Sequence, residues 1–195
     1  MILLGLSGYA RTGKDTVANI LVNEHGFERV SYADALKDVA YRIDPMIETS
    51  FWVSDDGHLP LSKLIDLVGW EQAKDDFSEV RRLLQNLGVT LREVIDENVW
   101  VNLAFRKINY GDDDRYVIPD VRFPNEMGAI RYVGGKVIRI ERPGYGPVNG
   151  HVSETALDNA KFDYTLSNDG TVTKLEHWCS ALVAELEQEE PVLFV

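Results

Sequence analysis

The stretch Gly8-Tyr9-Ala10-Arg11-Thr12-Gly13-Lys14-Asp15-Thr16 decides the fold. Before it lies Ile2-Leu3-Leu4-Gly5-Leu6, a short apolar run ended by a turn, which reads as a buried parallel strand. After it, Lys14 to Glu24 carries Val17, Ala18, Ile20 and Leu21 at helical spacing. Strand, glycine loop and helix open a βαβ unit. The same order recurs along the chain. Phe27 to Tyr32 reads as a strand, and Ala33-Asp34 starts a helix. Arg115 to Pro119 is an apolar strand running into Asp120, Lys136 to Ile140 is another, and Phe162 to Leu166 is the last. Asn168-Asp169-Gly170 turns into a final helix with apolar residues at 172, 175, 179, 182 and 186, and with Thr173 and Glu176 at capping-box spacing. Strands alternating with helices predict an α/β protein: a three-layer α/β/α fold with a mainly parallel sheet.

From Asp34 to about Ile108 the pattern is mostly helical. Leu64, Ile65, Leu67 and Val68 form one apolar group, and Val80, Leu83, Leu84 and Leu87 another. Thr49 to Pro60 reads as a loop, Gly111 to Asp114 as a solvated turn, and Pro143 to Pro147 as a mobile loop. Trp52, Trp70, Trp100 and Trp178 read first as core or hinge packing, and Val192 to Val195 as a tail that docks on the body.

Composition narrows the function. The 195 residues suit one domain, and 45% hydrophobic with 27% charged residues is ordinary for a globular chain. Twenty Lys and Arg against 32 Asp and Glu give a net charge of −12. That excludes a nucleic-acid polymer as partner, because such binders carry a basic face. A small anion stays open if basic groups converge locally. The lone Cys179 allows no internal disulfide, fits a reducing cytosol and reads as core packing. No basic leader region and no run of roughly 20 apolar residues is present, so the sequence reads as intracellular, with no membrane partner.

The spacing G-x-x-x-x-G-K at 8–14 fits a phosphate-binding loop, or P-loop. Its glycines let backbone amides turn around phosphate oxygens, and the helix start adds partial positive charge. Lys14 supplies a mobile point charge. Asp15 stands where a Mg²⁺-binding hydroxyl usually lies, and Thr16 follows. A carboxylate beside a triphosphate must face Mg²⁺ or another cation, so Asp15 and Thr16 are the candidate metal ligands. Adenylate-kinase-like enzymes also lack that hydroxyl, which favours small-molecule kinases over GTPases.

Three further groups carry chemistry. Asp120-Val121-Arg122 follows a strand, where open α/β sheets face their ligand. Asp120 there could hold metal-bound water or orient an acceptor, and Arg122 could clamp a phosphate; the alternative is a surface turn with an ion pair. Arg81 and Gln85 share a helical face that could take a monophosphate and a base edge. The alternative is a solvated charged face, which is the reading for Arg82. Arg139 and Arg142 lie beside the Gly/Pro loop, and Arg142 is the preferred lid cation. His151 reads as structural.

Taken together, these residues resemble the bacteriophage deoxynucleoside monophosphate kinases, P-loop enzymes related to adenylate kinase and dephospho-coenzyme A kinase. The resemblance rests on G-x-x-x-x-G-K-D-T at 8–16, Ala33 to Lys37, Arg81-x-x-x-Gln85-x-x-Gly88 and Val99-Trp100-Val101. It continues through D-V-R-F-P-N-E at 120–126, Arg142-Pro143-Gly144, His151-x-Ser153-Glu154 and Asn168-Asp169-Gly170-Thr171. The family often has T-E-x-x-R after the glycine of the acceptor helix; here Val89-Thr90-Leu91-Arg92 brings the arginine one residue early.

The resemblance implies transfer of the ATP γ-phosphoryl group to a deoxynucleoside monophosphate, with Mg²⁺ accompanying ATP. It implies catalytic roles for Lys14, Asp120, Arg122 and Arg142. ATP would be bound by Gly8, Arg11, Gly13, Lys14, Asp15, Thr16, Asn168, Gly170 and Thr171. The acceptor would be bound by Asp34, Lys37, Arg81, Gln85, Trp100 and Glu154. The implied domain has its core at 1–33, 109–141 and 160–195, a helical acceptor-binding insertion at about 34–108 and a short lid at about 142–159. A homodimer is left open, and the implied location is the cytoplasm of an infected bacterial host. A kinase of another small acceptor, such as dephospho-coenzyme A, and a non-catalytic nucleotide-binding regulator are the alternatives.

Overall fold

The N-terminal apolar run forms a strand whose alternation separates the layers of the fold. The computed structural model describes residues 1–49, 57–109, 114–148 and 150–188, with Asn109 in backbone only. In chain order the elements are β1 (Ile2–Ser7), α1 (Lys14–His25), β2 (Glu28–Arg29), α2 (Tyr32–Ile43), β3 (Met46–Glu48), β4 (His58–Pro60), α3 (Leu61–Asp76), α4 (Ser78–Val94), α5 (Val99–Asn109), β5 (Arg115–Ile118), α6 (Pro124–Tyr132), β6 (Lys136–Glu141), α7 (Val152–Thr155), β7 (Tyr164–Ser167) and α8 (Val172–Gln188). They fall into two units, Met1–Tyr32 with Val101–Val195, and Ala33–Trp100.

In the first unit, five strands pair in the order β2-β5-β1-β6-β7, every pair parallel. Side chains alternate across a strand, so the two faces take different helices. Leu4 and Leu6 of β1, with Ile138 and Ile140 of β6, bury against Val17, Ala18, Ile20 and Leu21 of α1 and Leu175, Cys179 and Leu182 of α8. On the opposite face, a Cβ at Gly5 would come within 2.6 Å of Ile130 in α6, so that glycine makes room for the helix. Helices on both faces of a parallel sheet are the three layers expected.

The second unit has its own core, in which Ala40 of α2, Ile47 of β3, Leu61, Leu64, Ile65 and Ala73 of α3, and Val80 and Leu84 of α4 are buried together. Its β3 and β4 form an antiparallel pair inside a region read as helix and loop. Pairs of three residues are too short for alternation to show in the sequence.

Several local expectations shift. The second strand is confined to Glu28–Arg29, and α2 begins at Tyr32, whose backbone N–H donates to the Asp120 carboxylate at 3.0 Å. The last strand starts at Tyr164 rather than Phe162. The hydroxyl capping α8 belongs to Thr171, not Thr173: its Oγ1 accepts from the Lys174 N–H at 3.3 Å, because the helix already starts at Val172. Leu67 lies off the 61, 64, 65, 68 stripe of α3 and is 68% exposed. Val172 precedes the first core contact of α8 and is also exposed. Trp70 and Trp178 pack against their cores. Trp52, the turn at 111–113 and the tail at 192–195 lie outside the described residues. Among the described residues no helix is long and apolar enough to cross a membrane.

Candidate functional site

Parallel strands end at one edge of the sheet, and the candidate residues of the first unit follow four of those ends. Gly8 to Gly13 follow β1, Asp120 and Arg122 follow β5, Arg142 follows β6, and Asn168 follows β7.

The loop between β1 and α1 has little steric freedom. Gly8 and Gly13 adopt φ of +140° and +105°, and a Cβ there would strike the Ile140 carbonyl and the Asn168 amide respectively. Arg11 takes the left-handed region at φ +64° to complete the turn. Thr12 is buried, and its hydroxyl donates to the Tyr9 carbonyl at 2.9 Å. Asn168 braces the loop from β7 by donating Nδ2–H to the Thr12 carbonyl at 2.9 Å. The predicted N-D-G-T turn thus divides its work: Asn168 supports the loop, Thr171 caps α8, and Gly170 is exposed.

Lys14, the first residue of α1, folds its ammonium back onto the loop and donates to the carbonyls of Gly8 at 2.7 Å and Tyr9 at 2.6 Å. Burial, and then the charge of Arg122, lower its pKa to about 8. Asp15, Glu154 and Asp120 act on it in the opposite sense, so all of these charges lie within electrostatic reach of Lys14. Asp15 itself meets a cation, the exposed Arg29 of β2. Thr16 is half-buried one residue further along α1.

Asp120 is committed to structure at least in part: it accepts from Ser31 Oγ at 2.6 Å and from the Tyr32 N–H. Arg122 is held from two sides. Its backbone N–H donates to Glu126 Oε2 at 2.7 Å, and its guanidinium donates to Glu154 Oε1 at 2.7 Å. The Glu154 side chain is only 3% exposed and holds the Arg122 guanidinium in place. Ser153 stands beside it, its Oγ 2.9 Å from His151 Nδ1. A pocket lined by Ser7, Gly8, Val121, Arg122, Arg139, Ser153, Glu154 and Leu157 opens here. Arg142, the predicted lid cation, stacks on the Tyr145 ring at 4.8 Å.

Glu126 and Ser153 were given no site role of their own from the sequence, and Arg139 was read only as an arginine beside the Gly/Pro loop. Glu126 had a readable signal, an acid two residues after a helix-starting proline. Its buried carboxylate also accepts from the Phe123 N–H at 3.0 Å. Arg139 is a charge inside an apolar strand, which demands partners. It is buried over the Tyr9 ring at 4.7 Å, with Asp158 at 3.6 Å, and Tyr9 in turn donates to Asp158 at 2.7 Å. That hydrogen bond raises the Tyr9 pKa.

In the second unit, Arg81 and Gln85 lie one turn apart on α4, and Arg81 pairs with Asp75 at 3.1 Å. Asp34 is in the first turn of α2. Lys37 lies 3.6 Å from Glu71 and over the Trp70 ring at 6.0 Å. Trp100 is buried, and its indole N–H donates to the Gly88 carbonyl at 3.0 Å.

A loop of this kind between strand and helix of a parallel sheet, with Lys14 and Arg122 beside it, defines a P-loop α/β protein. A family model for deoxynucleotide monophosphate kinase matches residues 60–178. A protein of Acanthamoeba polyphaga mimivirus is 30% identical over 191 residues, covering 88% of this chain and 91% of its own. The deoxynucleotide monophosphate kinase of Enterobacteria phage T4 is 28% identical over 234 residues, covering 90% of this chain and 95% of that one. In structure, TT1252 from Thermus thermophilus superposes with a TM-score of 0.50 at 17% identity, over 95% of this chain and 97% of that one, a likeness of fold. The chain belongs to the deoxynucleotide monophosphate kinase family.

Proposed function

We propose that this protein transfers the γ-phosphoryl group of ATP to a deoxynucleoside monophosphate, giving the diphosphate and ADP. Family membership supports the reaction. The observation that carries it is the pocket that Gly8 of the β1–α1 loop lines together with Arg122, with the Lys14 ammonium on the Gly8 carbonyl at 2.7 Å. An oxygen of the acceptor's phosphate attacks the γ-phosphorus, and the bond to the β-phosphate oxygen breaks. Such a transfer needs positioning and charge neutralisation more than a strong base. The loop amides and Lys14 hold the ATP phosphates, Arg122 meets the transferring group, and Arg142 closes over it. Arg81 takes the acceptor phosphate and Gln85 its base edge, and Asp34 and Lys37 of α2 add to the acceptor site.

Mg²⁺ fits as a companion of the nucleotide. Among the described residues no three His, Cys, Asp or Glu side chains converge on a metal site, and Asp15 forms an exposed ion pair with Arg29. Mg²⁺ held by one or two protein oxygens and by phosphates needs no such cage. Asp15 and Thr16 are the residues to hold it, with Asp120 holding a metal-bound water, and when bound it would neutralise charge on the β- and γ-phosphates. The viral relatives suggest a role in the cytoplasm of an infected cell.

The test is ADP formation from MgATP with the four dNMPs, the four NMPs and dephospho-coenzyme A. Turnover confined to dNMPs is the expected result and also gives base preference. ATP binding without turnover of any acceptor would overturn the reading in favour of a regulator.

A further inference from the structure

In a chain of net charge −12, three cations gather in the second unit: Lys37, Lys74 and Arg81. Lys74, on α3, is 2.7 Å from Glu71, and Lys37 reaches the same carboxylate at 3.6 Å. Arg81 pairs with Asp75 at 3.1 Å. Burial first, and then the charges of Lys37 and Arg81, depress the Lys74 pKa, so each of the two acts on Lys74. The exposures are asymmetric. The cationic side chains are 25%, 22% and 29% exposed, whereas Glu71 is 78% and Asp75 is 49% exposed. Half-buried cations are costly unless an anion answers them. Exposed carboxylates contribute little to such pairs and separate from them readily.

We infer that Lys74, with Lys37 and Arg81, forms the seat of the acceptor's phosphate, and that Glu71 is a place-holder displaced when the phosphate arrives. This rests on the kinase reading and extends it to Lys74 and Glu71, which the sequence did not single out. A phosphate dianion offers several oxygens, enough for two ammonium groups and a guanidinium at once. The exposed rim of carboxylates keeps the seat from holding singly charged anions strongly.

The test uses the full chain with MgATP and a dNMP varied separately. Lys74→Met should raise KM for the dNMP about tenfold or more while KM for ATP and Tm stay close to wild type. Lys74→Arg, which keeps the charge, should retain most of the affinity. Glu71→Gln should lower the dNMP KM about two- to fivefold, because it removes the competing anion. A Lys74→Met enzyme with unchanged dNMP KM, or a Glu71→Gln enzyme with unchanged or raised dNMP KM, would overturn the inference. Should Lys74→Met fail to fold, the Glu71→Gln result decides alone. Wild-type protein that turns over no dNMP would overturn the kinase reading itself, a distinct outcome.

Discussion

Lys14 carries two opposite pH dependences. Its folded pKa of about 8 lies below the ordinary 10.5, chiefly through burial. Between those values the unfolded chain binds more protons, so the Lys14 contribution to stability rises with pH across that window. The cost of burying the charged ammonium is fully present below about pH 8 and is relieved above it. Phosphate binding needs the charged form, so kcat/KM for ATP should fall on the alkaline side with an apparent pKa near 8. Denaturant melts and a rate profile over the same buffers check the two trends. Lys14→Arg should remove the alkaline limb, and Lys14→Ala should lower kcat by several orders of magnitude with the fold intact. Asn168→Ala should raise KM for ATP several-fold and cost about 1 kcal/mol, the worth of the hydrogen bond bracing Thr12. Lys14 was legible from spacing alone. The brace from Asn168, 156 positions away from Thr12, was not, because nothing local marks which turn ends beneath the loop.

At the scale of elements, α6 shows how a helix start can serve a site. Pro124 fixes the first turn, and the buried Glu126 carboxylate holds the backbone of both Arg122 and Phe123. Glu126→Gln should therefore destabilise the protein by about 1–3 kcal/mol in urea unfolding and lower kcat. Glu154→Gln should lower kcat with a smaller loss of stability, since it frees the guanidinium but spares the cap. Long amphipathic helices such as α1, α4 and α8 were readable because their stripes repeat over several turns. The β3–β4 pair was not, since its three-residue strands carry no period. Thr171 was displaced from the predicted cap by two residues, an error the sequence invites where two threonines flank one helix start.

For the whole molecule, alternation of strands and helices implied a parallel sheet, yet the order β2-β5-β1-β6-β7 is set by long-range pairing that leaves no local mark. The insertion of Ala33–Trp100 between two parts of the first unit explains why a second core appears in mid-sequence. Candidate residues near strand ends were legible because a parallel topology brings those positions to one edge of the sheet. Residues whose role depends on burial, such as Arg139 and Glu154, were not legible as supports, because the sequence alone does not show which charges lose their water.

Cys179 is the chain's single cysteine; it is fully buried on α8, and burial pushes its thiol up to about 12. A disulfide reagent attacks thiolate, so the native chain is nearly inert to it and only opened molecules are labelled. Each colour change thus counts one excursion from the folded state. A nucleotide that binds only the folded state must slow that count by the factor 1 + [L]/Kd. The lone thiol in the core is therefore a built-in gauge of ATP affinity that needs neither turnover nor acceptor.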